Sequence, residues 1–299
     1  MNKDLSKLKN KLQRNHPLAE YTSWKIGGPA EYFYRPMDLE DLVQIMRVWQ
    51  EEPIMVLGAA SNVLIRDAGI KGLVIYLRNS LTKFDELDDS NIRVEAGVEL
   101  MHLVEKCVSL GMFDAAFMSG IPGTVGGALK MNAGAYGERI WNHIVAVETI
   151  NRSGEIKLKQ AKDFAVGYRQ VDSLAKDEWF VAAQFNFTRG EVQAAKQQVQ
   201  TYLQKRSKSQ PLDFPSCGSV FRNPEGDYAA RLIEACGLKG KQIGGARVSE
   251  KHANFIINCG NAIAVDVETL MQEIITKVES SSSVKLIPEV HILGDILLA

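Results

Sequence analysis

The chain has 299 residues, of which 45% are apolar and 24% are charged, and its net charge is −1. This mixture is typical of a folded globular protein of one to three domains, and it excludes a disordered tail, a collagen-like chain and a small disulfide scaffold. No stretch approaches the roughly 20 apolar residues of a membrane helix, the charged N-terminus is unlike a secretory signal, and four dispersed cysteines predict reduced thiols in a cytoplasmic protein.

The order of the predicted elements indicates an α+β fold. Residues 38–52 begin with Asp38 as N-cap and carry apolar side chains at helical spacing. Strands and helices then alternate, and a hairpin around Ser153 and Gly154 interrupts the alternation. The other predicted elements are strands over 53–58, 73–77, 91–97, 143–150, 156–159, 179–187, 254–258 and 285–294, helices over 99–111, 190–211, 228–240 and 265–280, and a serine loop over 280–283. A polar helix and two prolines favour a domain boundary between 188 and 216.

Residues 196–252 form a basic segment within an almost neutral chain. They include ten Lys and Arg against five Asp and Glu, a net charge of +5 that leaves −6 for the rest of the chain. A local excess of this size suits a small anionic ligand better than a nucleic-acid polymer. A solvated charged face is the alternative that charge alone leaves open.

Two glycine-rich segments indicate a site for a phosphate group. Residues 56–65 run from a strand into a turn of small residues, and residues 119–137 contain six glycines. Glycine lets backbone N–H groups approach a phosphate without a Cβ in the way. Neither segment has the spacing of a Rossmann fingerprint or a P-loop. The alternative to a phosphate site is that the glycines serve tight turns and close helix packing.

Three polar residues stand in segments that are otherwise apolar or tightly turned. Ser219 lies between a glycine and an apolar pair, Arg169 follows Tyr168, and Glu289 interrupts an apolar strand, where a carboxylate is costly without a partner. A turn serine, a surface arginine and an edge-strand glutamate are the alternatives. The five scattered histidines lack metal-ligand spacing, so no metal site is expected, and no G-x-S-x-G elbow supports a hydrolase.

Seven sequence segments within residues 21–294 resemble the UDP-N-acetylenolpyruvoylglucosamine reductase family of bacterial flavoenzymes, and they occur in the same order as in that family. They are YTSWKIGGPA, GAASNVLIRDAGIKGLVI, SGIPGTVGGALKMNAGAYG, GYR, PSCGSVFRNP, ARLIEACGLKGKQIGGARVSEKHANFIIN and IPEVHILG. The length, with no tyrosine-bearing insertion in the middle, resembles the family's shorter type II form. The joint match is far more specific than either glycine-rich segment alone.

The resemblance implies an FAD-binding fold of the vanillyl-alcohol-oxidase-like type. Its two α/β subdomains would span 1–80 and 81–200, followed by an α+β substrate-binding domain over 201–299. It also implies FAD bound without a covalent bond and NADPH as the reductant. The positions that match the family's FAD-binding segments are Gly58, Ala59, Ala60, Ser61, Asn62, Gly120, Gly123, Thr124, Gly126, Gly127, Asn132, Ala133 and Gly134.

The activity that the resemblance implies belongs to peptidoglycan precursor synthesis. It is the NADPH-dependent reduction of UDP-N-acetylglucosamine enolpyruvate to UDP-N-acetylmuramate, with hydride from N5 of the reduced flavin. Ser219 matches the family's proton donor, and Arg169 and Glu289 match the pair that polarises the enolpyruvyl carboxylate. The positions that match substrate contacts, phosphates included, are Tyr168, Arg206, Asn223 and Lys239.

Four positions depart from the family pattern and none of them is a catalytic candidate. The string YRQVD differs from the usual YR-x-S, Arg247 stands where glutamine is usual, and His291 stands where arginine is usual. Gln210 occupies a position where longer family members have lysine. Because glutamine lacks that charge, we expect the phosphate contacts to be redistributed.

Two other functions remain open from the sequence. One is a different flavin oxidoreductase of the same fold, such as a hydroxy-acid or alcohol oxidase. The strings GSVFRNP and IPEVHILG argue against it, and so does the shortage of histidines that could tether a flavin. The other is a non-catalytic protein that binds FAD or a nucleotide sugar, which need not keep Ser219, Arg169 and Glu289 together. The expected partners are the UDP-sugar and NADPH, with no nucleic acid and no membrane insertion. The sequence does not determine the oligomeric state.

Overall fold

A computed structural model describes residues 5–296, which fall into two compact units. Within the described residues, unit 1 comprises 5–13, Tyr32–Ala59 and Gly72–Lys205, and unit 2 comprises Arg14–Glu31, Ala60–Lys71 and 206–296. Each unit is therefore assembled from segments that are far apart in sequence.

Helices and strands are interleaved along residues 5–296. The strands are β1 (Gln13–Pro17), β2 (Pro29–Tyr34), β3 (Ile54–Leu57), β4 (Val63–Ile65), β5 (Ile70–Tyr76), β6 (Phe84–Glu86), β7 (Asn91–Glu95), β8 (Gly134–Ala135), β9 (Glu138–Arg139), β10 (Ile144–Asn151), β11 (Ile156–Gln160), β12 (Val166–Gly167), β13 (Gln170–Val171), β14 (Glu178–Asn186), β15 (Gln242–Ile243), β16 (Ala246–Val248), β17 (Ile256–Asn258) and β18 (His291–Leu293). The α-helices are α1 (Leu39–Val48), α2 (Leu100–Ser109), α3 (Val125–Lys130), α4 (Val192–Ser209), α5 (Ala229–Ala235) and α6 (Ala264–Ser282). This mixture of helices with largely antiparallel sheets confirms the predicted α+β class.

Helix α1 begins where the sequence predicts it, with Asp38 as N-cap accepting a hydrogen bond from the backbone N of Asp41. Strands β3 and β5 pair in parallel, with Ile54 opposite Leu73, within a four-stranded sheet of order β1-β2-β5-β3. The apolar face of α1 shares a buried cluster with β5. The fully buried members on these two elements are Leu42, Ile45, Met46, Leu73 and Ile75. This cluster holds the carboxyl end of β3, from which the first glycine-rich segment continues.

The larger sheet of unit 1 has the order β11-β10-β14-β7-β6, and its pairs are antiparallel. Strands β10 and β11 form the predicted hairpin, with Ile150 opposite Ile156 and a turn at Gly154. The core under this sheet includes side chains of α2 and α3, among them Leu103 and Leu129. The glycine-rich segment 119–137 is therefore anchored on both sides of α3 by one hydrophobic core.

Unit 2 contains the three-stranded sheet β15-β16-β17 and the parallel pair β4 and β18. Helices α5 and α6 contribute to its buried core, for example through Ile233 and Leu270. Trp24 joins the same core, and its indole Nε1 donates a hydrogen bond to the backbone O of Ile256 at 2.7 Å. A segment near the N-terminus is thus part of the C-terminal unit.

The predicted serine loop over 280–283 is wrong, because most of these residues continue α6. The hydroxyl of Ser280 donates to the backbone O of Thr276, and that of Ser282 donates to the backbone O of Val278. These bonds satisfy the hydroxyls inside a helix, so the serines need not form a turn. The helix ends at Ser282, and its C-cap residue Ser283 has a left-handed backbone with φ of 58°.

Two other C-terminal elements are shorter than predicted. The strand expected over 285–294 is confined to β18, since Pro288, which has no backbone N–H, forms only an isolated bridge with Phe221. Glu289 is therefore not a residue of a regular strand. The helix expected over 228–240 ends at Ala235, because Gly237 already adopts a left-handed φ of 66°.

We expect Tyr34→Phe to lower the free energy of unfolding of the chain by about 1 to 3 kcal/mol. The buried Tyr34 hydroxyl donates to the buried Asp41 carboxylate at 2.7 Å, which also accepts from the backbone N of Lys9 and Met37. Burial and this carboxylate raise the pKa of Tyr34 above its usual range, so the phenol stays a donor. Removal of the hydroxyl leaves a buried carboxylate short of one donor.

Urea unfolding followed by circular dichroism measures this change. Tyr228→Phe is the matched control, because Tyr228 is 68% exposed. Equal midpoints for the two variants would contradict a stabilising role of the Tyr34–Asp41 bond.

Candidate active site

Gly58 and Thr124 meet at the carboxyl end of β3. A Cβ placed on Gly58 would lie 2.3 Å from Oγ1 of Thr124, so only glycine fits there without a shift. Thr124 is the N-cap residue of α3 and is buried, and its Oγ1 has no hydrogen-bond partner within residues 5–296. Because a buried hydroxyl is costly without a partner, this atom is suited to a ligand.

The other glycines predicted to bind the cofactor divide into two kinds. The backbone N of Gly126 donates to the backbone O of Ala96 at 2.9 Å, and the backbone O of Gly123 accepts from Leu100 at 3.0 Å. The backbone N of Gly120 points at the sulfur of Met101, 3.0 Å away. These contacts shape the loop. In contrast, an added Cβ on Gly127 would meet only Oγ1 of Thr124, at 3.8 Å, so this position leaves open space.

Arg169 is held by the turn that follows α3. Its guanidinium donates to the backbone O of Asn132 at 3.4 Å and of Gly134 at 3.1 Å, on either side of Ala133. Arg169 and Asn132 both have left-handed backbones, with φ of 56° and 40°. Such conformations in residues other than glycine persist only where the surroundings impose them, and they cluster at functional sites.

Asn132 ties the same turn to the β12–β13 hairpin. Its Nδ2 donates to the backbone O of Gly167 at 2.8 Å, while its buried Oδ1 has no partner in the described part of the chain. Tyr168, at the tip of this hairpin, is 46% exposed, and the Arg169 guanidinium lies 5.5 Å from its ring centre. Unit 1 thus brings Asn132, Gly134, Tyr168 and Arg169 together.

Unit 2 brings Ser219 close to the Glu289 segment. Ser219 is half-buried and follows Gly218, whose φ of 81° requires glycine or strain. The next residue, Val220, accepts a hydrogen bond at its backbone O from the backbone N of Glu289 at 2.7 Å. Burial and the nearby Glu289 carboxylate raise the pKa of the Cys217 thiol well above its usual range, so Cys217 stays a neutral thiol here.

Asn254 holds the backbone beside the Ser219 segment, and it was not predicted from the sequence as a site residue. Its buried side chain accepts from the backbone N of Phe221 at 3.0 Å and donates to the backbone O of Phe221 at 2.8 Å. An asparagine directly before the apolar run FII is the signal in the sequence. Buried amides of this kind usually satisfy a backbone segment that has no strand partner.

Asn62 contacts the backbone of the Glu289 segment as well. Its Nδ2 donates to the backbone O of Glu289 at 3.1 Å, and its backbone O accepts from His291. Ala60 and Ser61 precede it in unit 2, whereas Gly58 and Ala59 end a segment of unit 1. The role of these residues toward the cofactor stays a prediction.

The predicted substrate-binding residues of unit 2 have other partners in the structure. Oδ1 of Asn223 accepts from the backbone N of Ala229 at the start of α5, and Nζ of Lys239 pairs with Glu234 at 2.7 Å. Arg206 lies in the last turn of α4. Neither Asn223 nor Lys239 has a polar contact with Ser219 within residues 5–296. The partly exposed Lys239–Glu234 pair is of the weak surface kind, and the contact of Lys239 with the substrate stays a prediction.

Comparisons with known proteins identify the family and the fold of the chain. Residues 30–158 match the family model of an FAD binding domain, and residues 210–293 match that of the C-terminal domain of UDP-N-acetylenolpyruvoylglucosamine reductase. A reductase of that name from Coxiella burnetii strain Dugway is 48% identical, over 97% of this chain and 98% of the relative. One from Legionella pneumophila strain Paris is also 48% identical, over 94% and 93%. The crystal structure of the Thermus caldophilus reductase superimposes with a TM-score of 0.82 at 30% identity, covering 95% of this chain and 99% of that one.

The fold and the site define an FAD-dependent oxidoreductase. Its cofactor is FAD and its reductant is NADPH, as the sequence predicts, and the predicted α+β FAD-binding fold is confirmed. The residues of unit 1 fit this cofactor, since the Thr124 hydroxyl and the Asn132 amide oxygen lack a partner among residues 5–296 and Gly127 leaves open space.

The chain belongs to the UDP-N-acetylenolpyruvoylglucosamine reductase family. Its activity is the reduction of a peptidoglycan precursor, as predicted. The predicted domain boundaries, site-residue roles and cellular location stay predictions. Within residues 5–296, none of the helices combines the length and the apolar character that a membrane-spanning segment needs.

Proposed function

We propose that the chain reduces UDP-N-acetylglucosamine enolpyruvate to UDP-N-acetylmuramate at the expense of NADPH, with Ser219 as the proton donor. The observation that carries this proposal is the pairing of the Ser219 segment with the Glu289 segment in unit 2. A hydroxyl and a carboxyl held on adjoining backbone segments are suited to protonate a carbon and to bind the carboxylate next to it.

The cofactor is held by residues of unit 1 in this proposal. Thr124 and Asn132 offer the polar atoms, and Gly58 and Gly127 leave the space. Bound FAD supplies the hydride chemistry between the nicotinamide and the electrophilic terminal carbon of the enolpyruvyl group.

Arg169 stabilises the negative charge that develops on the carboxylate side of the substrate. A guanidinium is always charged and presents a planar fork that matches a carboxylate. Its two bonds to backbone oxygens hold the guanidinium in place before the reaction. Fixed donors of this kind stabilise a developing oxyanion without reorganisation.

Ser219 and Glu289 are the other two residues to which the proposal gives a catalytic role. Glu289 assists as a hydrogen-bond donor to the substrate carboxylate, for which its carboxyl must be protonated. A serine hydroxyl is a weak acid, but the carbon next to an enolised carboxylate is a strong base. A positioned hydroxyl therefore suffices to deliver the proton.

Anaerobic stopped-flow absorbance on the purified protein tests the proposal. The flavin band is expected to bleach with NADPH and to return when UDP-N-acetylglucosamine enolpyruvate is added. Return with oxygen only would favour the oxidase alternative. A protein without a flavin band, even after FAD is added, would contradict the proposal and favour a different ligand.

A further inference from the structure

Arg247 lies on a face of the β15-β16-β17 sheet that the main core of unit 2 does not use. Its neighbours along β16, Ala246 and Val248, are fully buried and belong to the hydrophobic core of the unit. Successive side chains of a strand point to opposite faces. Arg247 therefore shares the other face with its cross-strand neighbours Gln242 and Ile257.

The guanidinium of Arg247 has no acidic partner among the residues that the structure describes. No carboxylate of residues 5–296 forms an ion pair with it, and its Nε is buried without a hydrogen-bond partner in that range. Its central carbon lies 6.0 Å from the ring centre of Phe214, which is 43% exposed. A cation over an aromatic face is weakly attracted and loses rotational freedom, so the ring orients the guanidinium without neutralising it.

A second unpaired atom belongs to the turn that carries Phe214. The backbone O of Gln210 accepts from Leu212 at 3.0 Å, and Phe214 closes the turn toward Pro211. The side-chain Oε1 of Gln210 is buried and lacks a partner in the described residues. The buried Nε of Arg247 is a donor that is costly when unpaired and that an anion satisfies. The Oε1 of Gln210 is an acceptor, so it needs a ligand N–H or O–H and is not itself a phosphate contact.

We infer that Arg247, oriented by Phe214, binds a phosphate group of a nucleotide ligand. The planar guanidinium fork matches phosphate oxygens, and its uncompensated charge favours an anion. The inference rests on the proposed function, because the UDP-sugar and NADPH are the phosphate-bearing ligands of that reaction. The phosphate is either the diphosphate of the UDP-sugar or the 2′-phosphate of NADPH.

Isothermal titration calorimetry on the FAD-loaded protein distinguishes the two sources. The probes are UDP, NADP⁺ and NAD⁺, and the variant is Arg247→Gln, which keeps a polar side chain without the charge. We expect affinity for one phosphate-bearing probe to fall about tenfold or more, by analogy with other charge-assisted phosphate contacts. Weaker binding of UDP shows that Arg247 contacts the diphosphate of the UDP-sugar. Weaker binding of NADP⁺, down to the affinity for NAD⁺, shows that it contacts the 2′-phosphate of NADPH.

Arg231→Gln is the matched control. Arg231 is an exposed arginine of the same unit and pairs with Asp227, so its replacement is expected to leave all three affinities unchanged. Arg247→Lys is expected to recover part of the lost affinity, and Phe214→Leu to weaken the same probe several-fold. If Arg247 had only a structural role, its replacement would not weaken the binding of one probe alone, and Arg247→Lys would not restore that affinity.

Wild-type affinities of Arg247→Gln for both UDP and NADP⁺ would overturn the inference. So would equal losses in Arg231→Gln, since the effect would then be general electrostatics. Calorimetry needs no turnover. Failure of the wild type to turn over the enolpyruvyl substrate would therefore count against the proposed function without deciding the role of Arg247.

Discussion

Ser219→Ala is expected to lower the turnover of UDP-N-acetylglucosamine enolpyruvate by about 100- to 10,000-fold, the usual contribution of a positioned proton donor. FAD content and the oxidation of NADPH are expected to stay close to those of the wild type. The reason is that the variant removes the proton donor and leaves every group that contacts the cofactor in place.

The backbone around Ser219 does not depend on its hydroxyl. Asn254 holds Phe221 through two hydrogen bonds, and Glu289 holds Val220 through a third. A loss of turnover in Ser219→Ala therefore reports the missing hydroxyl and not a displaced loop. Thermal unfolding of the variant checks that its stability is unchanged.

Stopped-flow kinetics separates the two half-reactions of this variant. Bleaching of the flavin by NADPH is expected at the wild-type rate, and its return with the enolpyruvyl substrate at a strongly reduced rate. Ser216→Ala, three residues earlier, is the matched control and is expected to behave as the wild type. Wild-type turnover in Ser219→Ala would remove Ser219 from the role of proton donor.

Gly58→Ala is expected to yield a protein that loses most of its FAD on purification, with an affinity for FAD at least about tenfold weaker. The new Cβ would lie 2.3 Å from Oγ1 of Thr124, far inside van der Waals contact. Thr124 is buried at the N-terminus of α3, so its packed side chain must shift to admit the new Cβ. The absorbance ratio of flavin to protein measures the loss.

Two other glycines of unit 1 serve as comparisons. The Cβ added by Gly190→Ala would meet only Cβ of Phe113 at 3.5 Å, which is an ordinary contact. We expect this variant to keep its flavin. Gly127→Ala has room in the structure, with its nearest atom at 3.8 Å. We therefore expect it to fold normally and to lose FAD affinity, because we propose that the cofactor occupies that space. Full flavin content in Gly58→Ala would contradict the assignment of this cradle.

Thr124→Ala in the Gly58→Ala background identifies the role of the Thr124 hydroxyl. Removal of Oγ1 relieves the contact, so the thermal stability of the double variant is expected to return toward that of the wild type. The FAD affinity is expected to stay low, because the unpaired hydroxyl that we assign to the cofactor is missing. Recovery of both thermal stability and FAD affinity would show that Thr124 affects FAD binding only through its steric contact with residue 58.

The residue patterns of the chain suffice to predict those parts of the fold that depend on neighbours in sequence. The Asp38 N-cap with its helical apolar spacing predicts α1, and the Gly154 turn predicts the β10–β11 hairpin, and both are confirmed. The same holds for the family, since the glycine-rich segments and the GSVFRNP string are local signals. The serines at 280–283 mislead because serine is compatible with a turn and with a helix in which its hydroxyl is bonded.

The contacts that surround Ser219 arise from long-range folding. Asn254 reaches Phe221 across 33 residues, and Asn62 reaches Glu289 across 227. No periodicity or propensity encodes such a pair, because each partner is locally unremarkable and the bond forms only when the surrounding core brings the two segments together. The unpaired guanidinium of Arg247 belongs to the same class, since a missing counter-charge can be recognised only once every neighbour in space is known.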